Sequence, residues 1–307
     1  MPRSSRNNTI ATDLASGTVY LDRCLTLSEA LPASQLVDKT ILGDSFAVLP
    51  LLPRESVDLL IADPPYNLRK DYGGAVFSPR DDAAYADYTR RWLALAAPLL
   101  KPTASVYVCC DWRSSLVIGQ VLSEFFTIRN RITWQRDKGR GAKRNWKNGM
   151  EDIWFATVGR DYTFHADAVK LRRRVIAPYR ENGAPKDWME TESGRFRDSC
   201  ASNFWDDVTI PFWAMAENTA HPAQKPEKLL AKLLLASSDP GDLVLDPFLG
   251  SGSTSVAAKK LGRHYLGVEQ NPQYCVWAEQ RLERAELDKR IQGYSDGVFW
   301  ARNTGPK

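Results

Sequence analysis

Long apolar runs, paired cysteines and histidine are scarce in this sequence, and each shortage closes a class of reading. No window of the 307 residues stays apolar for long enough to span a bilayer, so a membrane-spanning chain is not expected. The five cysteines, Cys24, Cys109, Cys110, Cys200 and Cys275, are odd in number, form no C-x-x-C and place one adjacent pair inside an apparent strand. Reduced core thiols fit that pattern better than a disulfide framework or a zinc site. Three histidines, His165, His221 and His264, lack metal-ligand spacing, and no metal is expected. The first residues carry no apolar signal core, so the expected location is cytoplasmic. Charge of one sign is also in short supply: the net charge of +4 does not demand a nucleic-acid partner, and only clustering of the cations could argue for one. With 43% hydrophobic residues, the chain can bury a large core without staples.

The most informative stretch is Asp63-Pro64-Pro65-Tyr66, which closes the apolar, β-branched run from Ser56 to Ala62. Such a run reads as a buried strand, and sites in open α/β sheets form where strands end. Two prolines leave the sheet stiffly and donate no backbone hydrogen bonds, so their carbonyls are available as acceptors. One carboxylate, one carbonyl and one ring suit the recognition of an exocyclic amine. Asp63 could accept one amine hydrogen and the Pro64 carbonyl the other, exposing the nitrogen lone pair, while Tyr66 stacks on the ring.

Late in the chain, the strand Leu243 to Asp246 runs into Pro247-Phe248-Leu249-Gly250-Ser251-Gly252-Ser253-Thr254 and then a helix of small and apolar residues. Strand, glycine-rich turn and helix make the first half of a nucleotide-binding βαβ unit, in which amides at the helix start meet a polar or anionic group. A second strand ends at Glu269, 23 positions after Asp246, near the spacing of a ribose-hydroxyl acceptor. Before this unit, His221-Pro222-Ala223-Gln224-Lys225-Pro226 leads into a helix with an apolar stripe at Leu229, Leu230, Leu233 and Leu234.

Between these ends lie two cationic segments. The stretch from Gln135 to Gly149 is basic and glycine-containing with Trp146 embedded, the composition of a loop that tracks phosphates and offers a ring. Its cations Arg136, Lys138, Arg140, Lys143, Arg144 and Lys147 are candidate DNA contacts, as are Arg172 and Arg173 in the next segment. From about 160 to 218 the chain lacks long periodicity and reads as a loop-rich lobe, the candidate for sequence recognition.

The order of these motifs, DPPY early, a basic middle, HPAQKP next and DPFLGSGS late, resembles the β class of amino-group DNA methyltransferases over about residues 38 to 287. The resemblance implies an α/β S-adenosylmethionine-dependent methyltransferase fold, a seven-stranded and mostly parallel doubly wound sheet with permuted motif order. It divides the chain into an N-terminal extension (1–37), a catalytic half (38–159), the lobe (160–218), a cofactor half (219–290) and a tail (291–307). S-adenosylmethionine is implied beside Gly250 and Gly252, within a turn that also includes Asp246, Ser251 and Ser253. Phe248 would lie along the cofactor, Glu269 on the ribose hydroxyls and Asp44 near its adenine or amino end. Lys225 would pair with the methionine carboxylate, and Asp63, which borders the cofactor, would face the target base with Pro64, Pro65 and Tyr66.

An Asp at the head of the tetrapeptide points to adenine N6, with cytosine N4 the alternative. The implied partner is double-stranded DNA, with single-stranded DNA a second substrate and a homodimer an expectation of the class. A protein or RNA amide methyltransferase is the rival enzyme, but such enzymes place the glycine-rich motif first. An inactive DNA-binding relative is the rival of another class, and both motifs here are intact.

Overall fold

The computed structural model describes residues 6–71, 76–136, 144–192, 194–302 and 304. Its large sheet is built from β1 (Lys39–Leu42), β2 (Val57–Ala62), β3 (Leu100–Cys110), β4 (Thr127–Gln135), β5 (Met150–Thr157), β6 (Phe204–Trp205), β7 (Leu243–Asp246) and β8 (His264–Glu269). The longer helices are α1 (Asp82–Ala96), α2 (Ser115–Phe125), α3 (Glu227–Ser237), α4 (Ser253–Lys260) and α5 (Pro272–Leu287). The strand order is β1-β8-β7-β2-β3-β5-β4-β6, parallel throughout except for β5, which runs against both neighbours. The seven strands expected become eight because Phe204–Trp205 adds a two-residue edge beside Thr133 and Trp134.

Alternation along the central strands shows why the sheet is wound on both faces. Leu60, Ala62, Val106 and Val108 pack under α1 and α2, whereas Leu59, Ile61, Tyr107 and Cys109 pack under α3 and α4. Both faces of each strand are apolar, so neither can be left to water. Helix α1 begins at Asp81, whose carboxylate accepts the Ala84 N–H at 2.7 Å, and buries Tyr85, Tyr88, Trp92 and Ala96 at 3–4 spacing. Trp92 meets the Phe248 ring edge-on at 5.4 Å, so the core itself fixes a residue of the late turn.

Two segments differ from their sequence reading. The lobe is loop-rich, but its short strands Leu171–Arg174, Met189–Thr191 and Gly194–Ser199 join Tyr294–Ser295 and Val298–Trp300 in a five-stranded sheet. The tail set apart at 291–307 is thus part of the lobe, with Phe299 and Trp300 paired in parallel to Leu171 and Arg172. The N-terminal extension is docked as well. Ile10 is buried with Tyr274, Val276 and Trp277, and the Thr12 carbonyl accepts from Gln273 (2.8 Å) and Trp277 (2.9 Å) on α5. Among the described residues, no helix is long and apolar enough to cross a membrane.

Candidate active site

The two motifs meet because β2 and β7 are parallel neighbours, with Leu59 opposite Val244 and Leu60 opposite Leu245. Parallel strands end on the same edge, so Asp63 and Asp246 emerge side by side from stretches more than 180 residues apart. Beyond β7 come β8 and β1, which deliver Glu269 and Asp44 to that same edge. A cavity of about 1080 Å³ lies there. Asp44, Asp63, Pro64, Pro65, Tyr66, Lys225, Asp246, Phe248, Gly250, Ser251, Ser253 and Glu269 all line it, as do His221 and Leu14 of the N-terminal segment.

The late turn is held from several sides. Gly250 has φ 56° and donates its N–H to Glu269 Oε2 at 2.8 Å; a Cβ there would come within 3.1 Å of His221 Nε2. Glu269 Oε1 accepts the Asn271 N–H at 2.7 Å, and the carboxylate, with four acceptor positions in all, has capacity left for a hydroxyl. Burial raises the Glu269 carboxyl above its ordinary value, against the pull of these amides. Gly252 does not line the cavity. At φ 85° it lets α4 close on α5, where a Cβ would meet the Ala278 Cβ at 2.7 Å. A polar nucleoside-bearing ligand fits this cradle: acceptors at Glu269 and Asp44, a ring at Phe248 and glycine backbone at close approach.

Asp246 accepts the Phe248 N–H at 2.9 Å and the Thr254 hydroxyl at 2.6 Å, and burial pushes its carboxyl up to about 7. The folded carboxyl keeps its proton up to about 7, while the unfolded chain gives it up near 4. Folding therefore loses stability as pH rises through that interval. Asp246→Asn is expected to exceed the natural protein in stability by about 2 kcal/mol at pH 8, with the difference vanishing near pH 4. Urea titrations at the two pH values check this, and an equal difference at both would contradict it. His221 is neutral, because burial lowers its pKa to about 3. Its Nδ1 accepts the Ala223 N–H at 3.2 Å, so the hydrogen sits on Nε2, beside Gly250.

At the early motif, the Tyr66 hydroxyl donates to Asp63 Oδ1 at 2.9 Å and lies 3.2 Å from Glu151 Oε2. The Tyr85 hydroxyl donates to the Pro65 carbonyl at 3.0 Å, anchoring the loop to α1. Lys225, expected at the methionine carboxylate, lines the cavity and reaches the early motif. Its Nζ donates to Asp63 Oδ2 at 2.5 Å, lies 3.5 Å from Glu151 Oε2 and stands 5.2 Å from the Tyr66 ring centre. The reason is local: Ser253 Oγ donates to the Lys225 carbonyl at 2.7 Å, pinning this segment across the ends of β7 and β2. Burial opposes the ammonium charge, but Asp63 and Glu151 outweigh it and hold the Lys225 pKa above its ordinary value.

Two site residues escaped the sequence reading. Glu151 opens β5, and because that strand runs backwards its first residues reach the edge where the parallel strands end. A carboxylate opening an apolar run was the available signal. Arg281 of α5 is buried, donates to the Ser251 carbonyl at 2.7 Å and Ser253 Oγ at 3.0 Å, and pairs with Glu227 at 2.9 Å. It ties the glycine-rich turn to the start of α3, and nothing in the local sequence marks it.

The expected phosphate contacts fare differently. Arg136 turns inward to pair with Glu151, Arg172 is bidentate to Asp198 at 2.6 Å, and Arg173 pairs with Asp206 at 2.7 Å. Arg144 and Lys147 are exposed, flanking a Trp146 that is 94% exposed. Lys138, Arg140 and Lys143 lie outside the described residues.

The chain is similar to known proteins over most of its length. Residues 57–280 match the family model N6_N4_Mtase, described as DNA methylase. The chain is 35% identical over 255 residues to the DNA adenine methyltransferase YhdJ of Escherichia coli (strain K12), covering 80% of this chain and 83% of that one. Among solved structures, the M1.HpyAVI–SAM complex shares the fold at a TM-score of 0.51 and 24% identity, over 79% of this chain and 98% of that one. The PvuII DNA methyltransferase, cytosine-N4-specific, does so at a TM-score of 0.56 and 19% identity, over 81% of this chain and 89% of that one. With both motifs at one edge of such a sheet and the family match spanning them, the chain belongs to the N6_N4_Mtase family of DNA methylases.

Proposed function

We propose that this protein is a site-specific DNA methyltransferase that moves the methyl group of S-adenosylmethionine to N6 of an adenine drawn out of the duplex into the cavity. The observation that carries this reading is the adjacency of β2 and β7, which brings an amine acceptor and a nucleoside cradle to one edge. When bound, the methyl donor would supply an electrophilic carbon: as the N–C bond formed and the S–C bond broke, a neutral thioether would leave and the surplus amine proton would pass to water. The chain's residues then have to align and to stabilise. Asp63 accepts one hydrogen of the amine and the Pro64 carbonyl the other, which turns the lone pair toward the methyl carbon. Tyr66 offers one ring face to the base while Lys225 stands near the ring. Holding both reactants in line is worth about 7–11 kcal/mol in favourable cases. Unstacking the base costs a few kcal/mol, offset by stacking and phosphate contacts. The lobe of 160–218 and its partner strands from the tail are the candidate reader of sequence, and the exposed Arg144, Trp146 and Lys147 a candidate contact to the opened duplex.

Adenine is favoured over cytosine by the relative named for adenine and by Asp at the head of the tetrapeptide. A second reading, N4 of cytosine, has one support: the fold shared with a cytosine-N4-specific enzyme. Digestion of DNA treated with the purified protein and labelled donor, followed by mass spectrometry of the nucleosides, separates them. N6-methyladenine is the expected product; N4-methylcytosine alone would overturn the assignment.

A further inference from the structure

The end of β2 holds more charge than amine recognition requires. Asp63 Oδ2 already accepts Lys225 at 2.5 Å, and Glu151 stands behind it, 3.5 Å from the same ammonium and 3.2 Å from the Tyr66 hydroxyl that Asp63 shares. The side chains of Lys225 and Glu151 are 9% and 6% exposed, so neither charge is left to water. Arg136 pairs with Glu151, and Lys70 feels all four of these groups.

This arrangement opposes the reaction unless one ion moves. The target amine donates hydrogens, as the ammonium does, so both compete for Asp63. The amine nitrogen also gains positive charge as its new bond forms, and a fixed cation at hydrogen-bond range from Asp63 would oppose it in a site with little water. Among the described residues, Lys225 has one other carboxylate in ion-pair range, Glu151. We infer that Lys225 is a placeholder on Asp63 and that Glu151 is the carboxylate that receives it when the target amine arrives. The inference rests on the reading of Asp63 given above. Glu151 is accordingly a positioning residue, acting through Lys225. Its seat on the reversed strand β5, flanked by β3 and β4 on both sides, gives the waiting carboxylate a rigid base. A role confined to neutralising Arg136 would leave Lys225 uninvolved, and that difference can be measured.

The test uses the full chain, single-turnover methylation of DNA and calorimetric affinity for S-adenosylmethionine. Transfer to adenine by the natural protein is established first, so failure of the Asp63 reading is seen separately. Glu151→Gln keeps size and an oxygen for Tyr66 but removes the charge. We expect it to lower the transfer rate about tenfold or more while cofactor affinity stays within about threefold, and Glu151→Asp to recover part of the loss. In a Lys225→Met background, the same Glu151→Gln change should cost less than about threefold, since the residue through which it acts is gone. As a readout independent of turnover, the 13Cε signal of Lys225 should move when DNA and S-adenosylhomocysteine are added to the natural protein and stay in place in Glu151→Gln. The proposal is overturned by a smaller loss in Glu151→Gln, by equal losses in both Lys225 backgrounds or by a Lys225 signal that responds alike in both proteins. Loss of cofactor binding in both the Gln and Asp variants would make Glu151 structural and overturn it equally.

Discussion

Asp63→Ala should lose methyl transfer by about 10²–10³-fold or more while binding S-adenosylmethionine nearly as well as the natural protein. The separation follows from position. Asp63 lines the cavity at the end of β2, whereas the cradle of Gly250, Phe248 and Glu269 hangs from β7 and β8. Removing the carboxylate deletes the amine's acceptor and the nearer of Lys225's two anions, and leaves the contact of Glu269 with Gly250 intact. Asp63→Asn refines the test, because it keeps one acceptor oxygen and loses the charge, and should fall between the two. Label transfer to DNA measures the first quantity and calorimetry the second. A cofactor affinity that collapses with the rate would place Asp63 in the donor site instead.

Gly252→Asp should act on the other partner. The left-handed backbone at φ 85° disfavours any side chain, and a Cβ would lie 2.7 Å from the Ala278 Cβ and 2.9 Å from its Cα. Neither neighbour is a flexible side-chain end that can swing away, so α4 and α5 must part and the turn between Asp246 and Ser253 must shift. We expect affinity for S-adenosylmethionine to fall by about 100-fold or more and stability by about 1–3 kcal/mol. The glycine acts through helix packing, because it does not line the cavity. Cofactor affinity at the natural level in this variant would contradict the account of the turn.

Elements that carry both a period and a boundary were legible in the sequence. The 3–4 spacing of Tyr85, Tyr88 and Trp92 after Asp81 is the sequence signal of α1, and Pro272 at the first position is that of α5. The acids ending β2, β7 and β8 could be read because a carboxylate after an apolar run has no packing reason to be there. Partnership across the chain could not be read. The lobe's strands are two to six residues long, half exposed, and one partner lies more than 100 residues away, so no local period marks them. Composition cannot separate a cation that meets phosphate from one that meets a carboxylate. Arg172 and Arg173 counted as basic in the sequence, and Asp198 and Asp206 answer them in the fold. The same blindness overlooked Glu151, because its place at the site depends on β5 running antiparallel to β3, which pairing alone decides.

The central claim is that one edge of one sheet presents a methyl donor and a target amine to each other. A crystal structure of the protein with its methylatable duplex and S-adenosylhomocysteine tests it most directly. The account predicts an extrahelical adenine against Tyr66, its amine on Asp63, and its N6 about 3–3.5 Å from where the donor's methyl would stand. A base seated elsewhere, or an amine turned away from Asp63 with the cofactor still in the late turn, would contradict it.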